Sequence, residues 1–576
     1  MKKHIRLLAL ALASIMTAGI FASCNSGDGG NSDSSASNSE SSVSSTAPES
    51  EDSEEDSSDS EPDAAGTGVF DSEVTLRVPV YDRGIEGVPN VSDNYWTNWI
   101  QENFGDKNNI KVEFVPITRS DVMTDYALLA SSKNLPTILM EYDYPRLAQW
   151  AADGYLATFD MDEFAGTAPN YHQVMVDNDL LSFSQMNGET YFALAQRPNW
   201  DTAFTYMQFV RMDWLKEIGY DHIPLTGGDY DDYIAAMTKI KEAGLAEHPM
   251  GGEMLVAGID QNYGFREFPE NEEEWAMYSP VSIPALGWKP NYELVKRANA
   301  EFNAGLSNPE YYITDAESAK AAFINGETYK YGGYLSGTMD WLNSFYEQNP
   351  DAELAIEPIP TEDNEKYGTT PLYRADNPFG MIVGFSSTAT EDEIKAAWMY
   401  MEWMIDKDVM YEMQWGVEGE NFEINAETNL PESFAEYEGE YKQGYNNNKD
   451  YWCISIESRD AGTPEEMIAN IVPTGLPQDF TQGVVDYYHQ KVELADKGYA
   501  SNDTLFSVIL DSEVEYGTAL VELYKEYRDT LTMCSPEEFD TLYEDLAQKY
   551  LDQGFQQVID ERKAAYEAGN STKIIK

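Results

Sequence analysis

Two acidic clusters are the residues whose spacing could support catalysis. They run from Glu272 to Glu274 and from Asp229 to Asp232. Paired carboxylates can cleave a glycosidic bond when one acts as acid and the other as base or nucleophile. The chain has 102 Asp and Glu residues, so some clustering arises by chance, and solvated surfaces are the simpler interpretation. The second cluster could also hold calcium, although it lacks the full spacing of a calcium loop. A surface polysaccharide hydrolase or lyase remains an alternative.

Other catalytic signatures are scarce. The five histidines are dispersed and form no metal-binding pair at helical spacing: His4, His172, His222, His248 and His489. The sequence contains no G-x-S-x-G turn, no P-loop and no dinucleotide fingerprint. These patterns favour a binding protein that is not an enzyme, with no cofactor, no metal site and no catalytic residue.

The first part of the body predicts strands that alternate with helices. Residues 74–81, 110–117 and 136–140 are rich in β-branched or apolar residues, and amphipathic helices lie between them. This alternation predicts parallel pairing in an open α/β sheet, whose ligands bind beyond the carboxyl ends of the strands. Asp82 and Arg83 follow the first strand, and Tyr142, Asp143 and Tyr144 follow the third. We therefore expect these residues at the rim of a cleft.

Several later elements have specific local signals. Residues 180–194 predict a hairpin with a turn at Asn187 and Gly188. Thr390 and Glu393 predict a capping box before a long helix that reaches Ile405. Within that helix, Trp398 and Trp403 are expected in the core. Residues 535–568 predict a helical C-terminal part.

The N-terminus has the three parts of a secretory signal. Lys2, Lys3 and Arg6 precede an apolar stretch of residues 7–20, and small residues then lead to Cys24. The segment resembles a bacterial lipoprotein signal, which implies cleavage after residue 23 and diacylation of Cys24. Two acyl chains give stable membrane anchoring. An ordinary signal peptide with a chance cysteine is the alternative.

Residues 25–68 predict a disordered linker. They include twelve acidic residues and neither Lys nor Arg, and such a segment cannot bury enough apolar surface to fold. A spacer that extends by self-repulsion is favoured over binding of a cationic partner or calcium. The sequence therefore predicts a signal peptide at residues 1–23 and an acylated cysteine with its linker at residues 24–68.

The charge of the body excludes one class of partner. The formal net charge is −65, and after removal of three basic residues in the signal and twelve acidic residues in the linker the body stays strongly acidic. Nucleic acid is excluded because phosphate binding requires a basic surface. The negative charge of the body disfavours an anionic ligand, although an arginine in the binding site can attract an anion despite the overall negative electrostatic field. The two cysteines of the body, Cys453 and Cys534, could form one disulfide. The body has no apolar run long enough to cross a membrane.

Six motifs then resemble a known family in their order and spacing. They are Ala130 to Leu139 with Gly154 to Leu156, Asn187 to Tyr191, Val210 to Leu215, Phe323 to Glu327, Gly380 to Ile405, and Trp415 to Gly419. The chain resembles the extracellular solute-binding lipoproteins of carbohydrate ABC transporters, family 1, of the long type found in Gram-positive bacteria. Lys133, Asn134 and Thr137 stand where the family commonly has Gly and Asp, so the identity of the ligand does not carry over.

The resemblance implies an α/β, two-lobed periplasmic-binding-protein-like type II fold. Each lobe would be a mostly parallel sheet flanked by helices, with extra helices at the C-terminus. Lobe 1 would comprise residues 69–200 and 352–408, and lobe 2 residues 201–351 and 409–576. The chain would cross near residues 196–202, 358–376 and the end of the long helix. The implied partners are a carbohydrate ligand, expected to be an oligosaccharide, and ABC permease subunits. A lipid anchor would hold the protein on the extracellular face of the cell membrane.

A sugar site needs flat aromatic rings together with polar groups that satisfy hydroxyls. For any single ring, a core role remains the more frequent outcome. The candidate ligand-binding residues are Asp82, Trp96, Tyr142, Asp143, Trp200, Asp201, Trp288, Tyr331, Tyr334, Asp340, Trp341, Tyr373, Arg374, Trp415 and Glu418. A peptide-binding lipoprotein, or a sensor that feeds a membrane kinase, remains a further alternative.

Overall fold

The structure is a computed structural model of the 576-residue chain. It describes residues 70–572, apart from residues 85–89, 198–205, 225–229, 252–271, 279–282, 315, 335–340, 359–372, 375–376, 427–428, 435–448, 460–462, 464, 467–476, 498–499 and 502–503. The signal, Cys24 and the acidic linker therefore lie outside the described residues. Within the described part, no helix combines the length and apolar character that a membrane span needs.

Fifteen strands occur in the described part of the chain. They are β1 (Val74–Asp82), β2 (Ile110–Thr118), β3 (Ile138–Glu141), β4 (Leu156–Ala157), β5 (Gln185–Met186), β6 (Glu189–Thr190), β7 (Ala193–Gln196), β8 (Tyr206–Arg211), β9 (Lys330–Tyr334), β10 (Leu354–Ile356), β11 (Tyr373–Arg374), β12 (Phe379–Ser386), β13 (Phe422–Ile424), β14 (Pro431–Ser433) and β15 (Ala500–Ser501).

Helices separate most of these strands. They are α1 (Tyr95–Ile100), α2 (Asp106–Asn108), α3 (Val122–Ser131), α4 (Tyr144–Ala152), α5 (Met161–Thr167), α6 (Pro169–Asp177), α7 (Met212–Glu217), α8 (Tyr230–Glu242), α9 (Glu272–Tyr278), α10 (Lys289–Asn303), α11 (Ala316–Ile324), α12 (Trp341–Gln348), α13 (Glu391–Met404), α14 (Lys407–Trp415), α15 (Lys449–Trp452), α16 (Gln478–Asp496), α17 (Asp511–Met533), α18 (Phe539–Tyr550) and α19 (Gln556–Glu567).

The predicted local elements near the first sheet are confirmed. β1 and β2 pair in parallel from Val74 opposite Ile110 to Asp82 opposite Thr118. β5 and β6 form the hairpin, and Asn187 and Gly188 both have positive φ, as a primed turn requires. Thr390 caps α13, with a reciprocal bond from its backbone to Glu393.

The prediction of mostly parallel sheets is wrong for the described strands. β12 runs antiparallel to β3, β4 and β7, and β8 runs antiparallel to β9 and β10. In the described pairs, parallel strands occur between β1 and β2 and between β11 and β15. Whether two strands pair in parallel or antiparallel depends on which strand of the chain packs beside which. β12 lies more than two hundred residues after β3, so local sequence does not specify the direction of this pair.

Two large hydrophobic clusters surround these sheets. The first collects residues from β1 to β7, β12 and α13, including Trp398 at 7% exposure, as predicted for the core. The second packs β8 and β10 against α12 and α16. A third joins α10 to the C-terminal helices α17 and α18. Burial of these apolar surfaces supplies the main stabilisation of each part.

The proposed lobe boundaries stay a prediction, and two placements bear on them. Leu354 and Ile356 pair with β8 and pack in the second cluster, although the prediction put residues 352–408 in lobe 1. Tyr451 to Ile456 pack in the first cluster, although the prediction put residues 409–576 in lobe 2. The chain therefore passes from the first cluster to the second within α14, between Met413 and Trp415, has returned to the first by Tyr451, and leaves it again after Ile456.

Candidate functional site

The carboxyl ends of β1, β2 and β3 lie along one edge. Asp82 and Thr118 are opposite each other at the last register position of the parallel pair. The hydroxyl of Tyr81 donates to the carbonyl of Met140 at 3.2 Å, which ties the end of β1 to β3. Tyr142 follows β3 directly. The residues at these strand ends therefore share one edge, and their place at the rim of a ligand cleft stays a prediction.

Arg119 lies on two tyrosine rings at this edge. Its guanidinium carbon is 4.9 Å from the ring centre of Tyr81 and 5.7 Å from that of Tyr142. A cation held over aromatic faces is attracted by the negative potential of the rings. Sequence reasoning missed Arg119, although it follows β2 just as Asp82 ends β1, and the same rule applied to the second strand would have found it.

Tyr142 is also affected by the charge of a buried carboxylate. Burial raises the pKa of Tyr142 well above its ordinary value, and the negative charge of Glu457 raises it further. The phenol therefore stays neutral and can donate a hydrogen bond. Tyr142 is half-buried, and its ring packs against the first cluster.

Asp143 is the residue before α4. Loss of hydration raises the pKa of its carboxyl to about 6, while Arg146 opposes the shift and Glu141 adds to it. Arg146 lies 3.4 Å from Asp143 and 3.7 Å from Glu141. This group of one cation and two carboxylates therefore has a net negative charge at neutral pH. Asp82 is exposed, and its Oδ1 accepts a hydrogen bond from the amide of Gly84 at 2.9 Å.

A short segment from Lys449 to Arg459 completes the edge. Arg83 binds Asp450 through two hydrogen bonds of 2.8 and 2.7 Å, and the Asp450 side chain is 1% exposed. Lys449 donates to Glu457 at 2.7 Å. Sequence reasoning did not find this segment, because nothing local distinguishes its acids from the many others in the chain.

Glu457 is held in place from several sides. Its amide donates to the carbonyl of Gln196 at 2.8 Å, so the segment continues beside β7. An added Cβ at Gly380 would lie 2.7 Å from the Glu457 Cβ. One carboxylate oxygen, Oε2, is buried, and no donor among the described residues reaches it. A buried acceptor of this kind is costly unless a donor reaches it.

The predicted residues near α14 lie on the second cluster. Trp415 is 2% exposed, and the guanidinium of Arg459 lies 4.6 Å from its ring centre. Glu418 is exposed in the loop that follows. Because Tyr451 to Ile456 pack in the first cluster and Arg459 reaches Trp415, the polar segment spans the junction between the two clusters.

Tyr331 and Trp341 form an aromatic group in the second cluster. Their ring centres are 5.3 Å apart, and Phe323 stacks on Tyr331 at 5.8 Å. Both rings are partly exposed. Edge-to-face and stacked rings of this kind form rigid apolar surfaces.

Two further candidate tryptophans lie in cores, as Trp415 does. Trp96 is 2% exposed in the first cluster, and Trp288 is 4% exposed in the third, where its Nε1 donates to Glu274 at 3.0 Å. These rings are covered by protein, as large rings commonly are. The remaining candidates cannot be placed by side chain, because Trp200, Asp201 and Asp340 lie outside the described residues, and Tyr334, Tyr373 and Arg374 are described only as strand positions.

The acidic clusters have structural partners. Glu273 binds Lys563 at 2.8 Å, and Asp232 contacts His222 at 2.9 Å, which raises the pKa of that histidine. Across the described ranges, no group of three or more His, Cys, Asp or Glu side chains is arranged to hold a metal ion. Cys453 and Cys534 are free thiols, the first buried and the second partly exposed, so the disulfide that the sequence left open is not formed.

Comparison with known proteins gives a consistent result. A family model described as bacterial extracellular solute-binding protein matches residues 99–420, more than half of the chain. No curated protein matches the chain in sequence.

Solved structures are similar in fold. An alginate-binding protein without calcium ion is 13% identical, with a TM-score of 0.57, and the match covers 87% of this chain and 99% of that one. An extracellular solute-binding protein from Bifidobacterium longum subsp. infantis has 13% identity and a TM-score of 0.57, with 88% and 100% coverage. An ABC-transporter substrate-binding protein of S. pneumoniae in complex with kestose has 14% identity and a TM-score of 0.57, with 86% and 99% coverage. These likenesses show the two-lobed α/β fold.

Proposed function

The chain belongs to the bacterial extracellular solute-binding proteins, and we propose that it captures a sugar or oligosaccharide and delivers it to the permease of an ABC transporter. The observation that carries this proposal is the polar and aromatic edge at the junction of the two main clusters. Arg119 lies over the Tyr142 ring there, at the carboxyl ends of the parallel strands, and the charge of Glu457 raises the pKa of that tyrosine. Open α/β sheets bind ligands at that position.

The side chains at this edge suit a carbohydrate. Tyr142 offers a ring face and a neutral hydroxyl, and Arg119 offers several N–H donors. Glu457 Oε2 is buried and no described donor reaches it, so it would accept from a solute hydroxyl once movement of the lobes exposes it. On the second cluster, Tyr331 and Trp341 offer a partly exposed apolar surface. A sugar requires this combination of flat apolar contact and hydrogen bonding.

Structural neighbours support the same class of ligand. One is named as alginate-binding, and another was solved with kestose. Their identity to this chain is 13% and 14%, so they support the fold of a carbohydrate receptor and leave the particular sugar open.

Closure of the two lobes would couple binding to delivery. A solute that contacts both parts stabilises the closed form by its differential affinity for that form. The connections α14 and the segment from Lys449 to Arg459 touch both clusters. They are therefore the parts of the described chain whose geometry closure would change.

We propose that diacylated Cys24 anchors the protein to the outer face of the cell membrane through the acidic linker. The acyl chains would supply the membrane affinity, and the linker would keep the body away from the bilayer. Mass spectrometry of the membrane fraction should find the lipid on Cys24. A Cys24→Ser variant should appear in the medium, and its retention on the membrane would contradict the anchor.

The proposed function includes no chemical change in the cargo. Incubation of the purified protein with glycans should leave their chain lengths unchanged by chromatography. New reducing ends or unsaturated products would support the alternative hydrolase or lyase.

Calorimetry tests the proposal directly. The soluble body, from residue 69, would be titrated with neutral mono- and oligosaccharides, and we expect micromolar or tighter binding to at least one glycan class. Tyr142→Ala should weaken that binding by about ten- to a hundredfold, because a stacked ring and a hydrogen bond are lost. Tyr312→Ala is the matched control, since this ring is 53% exposed outside the site.

Small-angle scattering tests closure. Addition of the bound glycan should reduce the radius of gyration. The proposal that the protein is a carbohydrate receptor that closes on its ligand would be rejected by either of two results: no binding of any neutral or acidic glycan in calorimetry, or identical scattering with and without a bound glycan.

A further inference from the structure

Arg119 is a cation without an anionic partner. The described structure places no carboxylate oxygen within 4.0 Å of its guanidinium nitrogens, and no hydrogen bond involves its side chain. Among the described residues, its guanidinium lies over two aromatic rings, those of Tyr81 and Tyr142. The side chain is half-buried rather than freely exposed.

The neighbouring cations are all paired. Arg83 binds Asp450, Lys449 binds Glu457, and Arg146 lies against Asp143. The chain has 102 acidic residues and only 37 Lys and Arg, so a cation near this edge has many carboxylates within reach. The unpaired state of Arg119 is therefore a property of its position on the rings.

An unpaired, partly dehydrated guanidinium favours an anion. Its planar fork of N–H donors matches a carboxylate with two parallel hydrogen bonds. The rings of Tyr81 and Tyr142 fix the plane of the fork, so little freedom is lost when an acceptor arrives. A neutral hydroxyl would satisfy the donors but leave the charge uncompensated.

We propose that Arg119 binds a carboxylate of the solute, so that the site selects an oligosaccharide containing uronic acid over its neutral counterpart. This inference rests on the proposed carbohydrate-binding function and names the class of sugar.

The acidic surface does not prevent this selection. Charges beyond about 8 Å are largely screened at physiological ionic strength. The nearby carboxylates of Asp450 and Glu457 are balanced by Arg83 and Lys449. Of the remaining acids, Glu141 and Asp143 share Arg146, and Asp82 is exposed to solvent. A carboxylate that approaches in the plane of the Arg119 guanidinium, away from the two rings, therefore meets a positive charge that no described carboxylate pairs.

The test compares an acid with its ester. Calorimetry at low and high salt would use trimers of galacturonate, glucuronate and mannuronate, each alongside the fully methyl-esterified trimer. We expect the wild-type body to bind at least one acid trimer ten times more tightly than its ester or better, with a smaller ratio at high salt.

Variants of Arg119 assign the effect. Arg119→Gln should weaken binding of that acid trimer by roughly ten- to a hundredfold and binding of its ester by less than about threefold. Arg119→Lys should retain part of the selectivity, because it keeps the charge and loses the fork. Lys395→Gln removes one exposed positive charge on α13 and should change neither affinity.

The outcomes separate the inference from the function. If the body binds neutral glycans or esters as tightly as the acids, or if Arg119→Gln leaves the acid-to-ester ratio unchanged, the inference fails and the receptor function stands. If no acidic or neutral glycan binds, the proposed function fails and the inference fails with it.

Discussion

Removal of Arg83 should destabilise the segment that carries the buried acids of the site. Asp450 is 1% exposed at its side chain and receives both of its charged hydrogen bonds from Arg83, at 2.8 and 2.7 Å. Its carboxylate raises the pKa of Arg83 above the ordinary value. In Arg83→Met the carboxylate would remain buried without a cation.

The magnitude follows from the burial of each partner. Removing one partner of a fully buried ion pair costs about 3–5 kcal/mol. The Arg83 side chain is 36% exposed, so water already screens part of the interaction, and we expect about 2–3 kcal/mol. Asp450→Asn should cost less, about 1–2 kcal/mol, because the cation that remains can hydrate.

The two changes should not be additive. In the double variant no buried charge is left unpaired, so the coupling free energy should be about 1–2 kcal/mol. Hydrogen exchange followed by mass spectrometry would give the opening free energy of peptides within residues 449–459. This local measure is preferred because a two-lobed chain need not unfold in one step.

Lys216 and Glu353 form the control pair. Their side chains are 54% and 53% exposed, and a double-variant cycle on them should give a coupling of about 0.5 kcal/mol or less. A coupling free energy for Arg83 and Asp450 no larger than that of this control pair would refute the reasoning.

Three further predictions concern other groups. Burial raises the pKa of Asp143 to about 6, so the folded state binds an extra proton between about pH 4 and 6, and the stability of the protein falls as the pH rises through this window. Asp143→Asn should therefore be more stable than wild type by about 1–2 kcal/mol at pH 7.5, and no more stable at pH 4, when unfolding by urea is measured. The expected gain is reduced because the Asp143 side chain is 32% exposed and solvent screens part of the interaction. Gly380→Ala should displace Glu457, because the added carbon would lie 2.7 Å from the Glu457 Cβ. This variant should bind glycan at least tenfold more weakly in calorimetry, whereas wild-type affinity would show that Glu457 has no role in glycan binding. Burial raises the pKa of the Cys453 thiol, so maleimide should label the partly exposed Cys534 in the folded protein and Cys453 only after unfolding. Equal labelling rates of the two thiols in the folded protein would contradict the burial of Cys453.

The sequence alone determined what depends on neighbouring residues. Strand alternation predicted the rim with Asp82, Tyr142 and Asp143, because the carboxyl ends of parallel strands share an edge. The turn at Asn187 and the cap at Thr390 followed from local backbone and side-chain bonding. Their signals lie within a few residues of the structure that they specify.

The tertiary structure alone decided which distant segments meet. Arg83 and Asp450 are 367 positions apart, and the sequence contains no periodic signal that pairs this arginine with one acid among many. The same limit explains why Trp288 became a core residue and why β12 runs antiparallel to β3. Local propensities specify elements, whereas burial and charge pairing between elements depend on the whole folded chain.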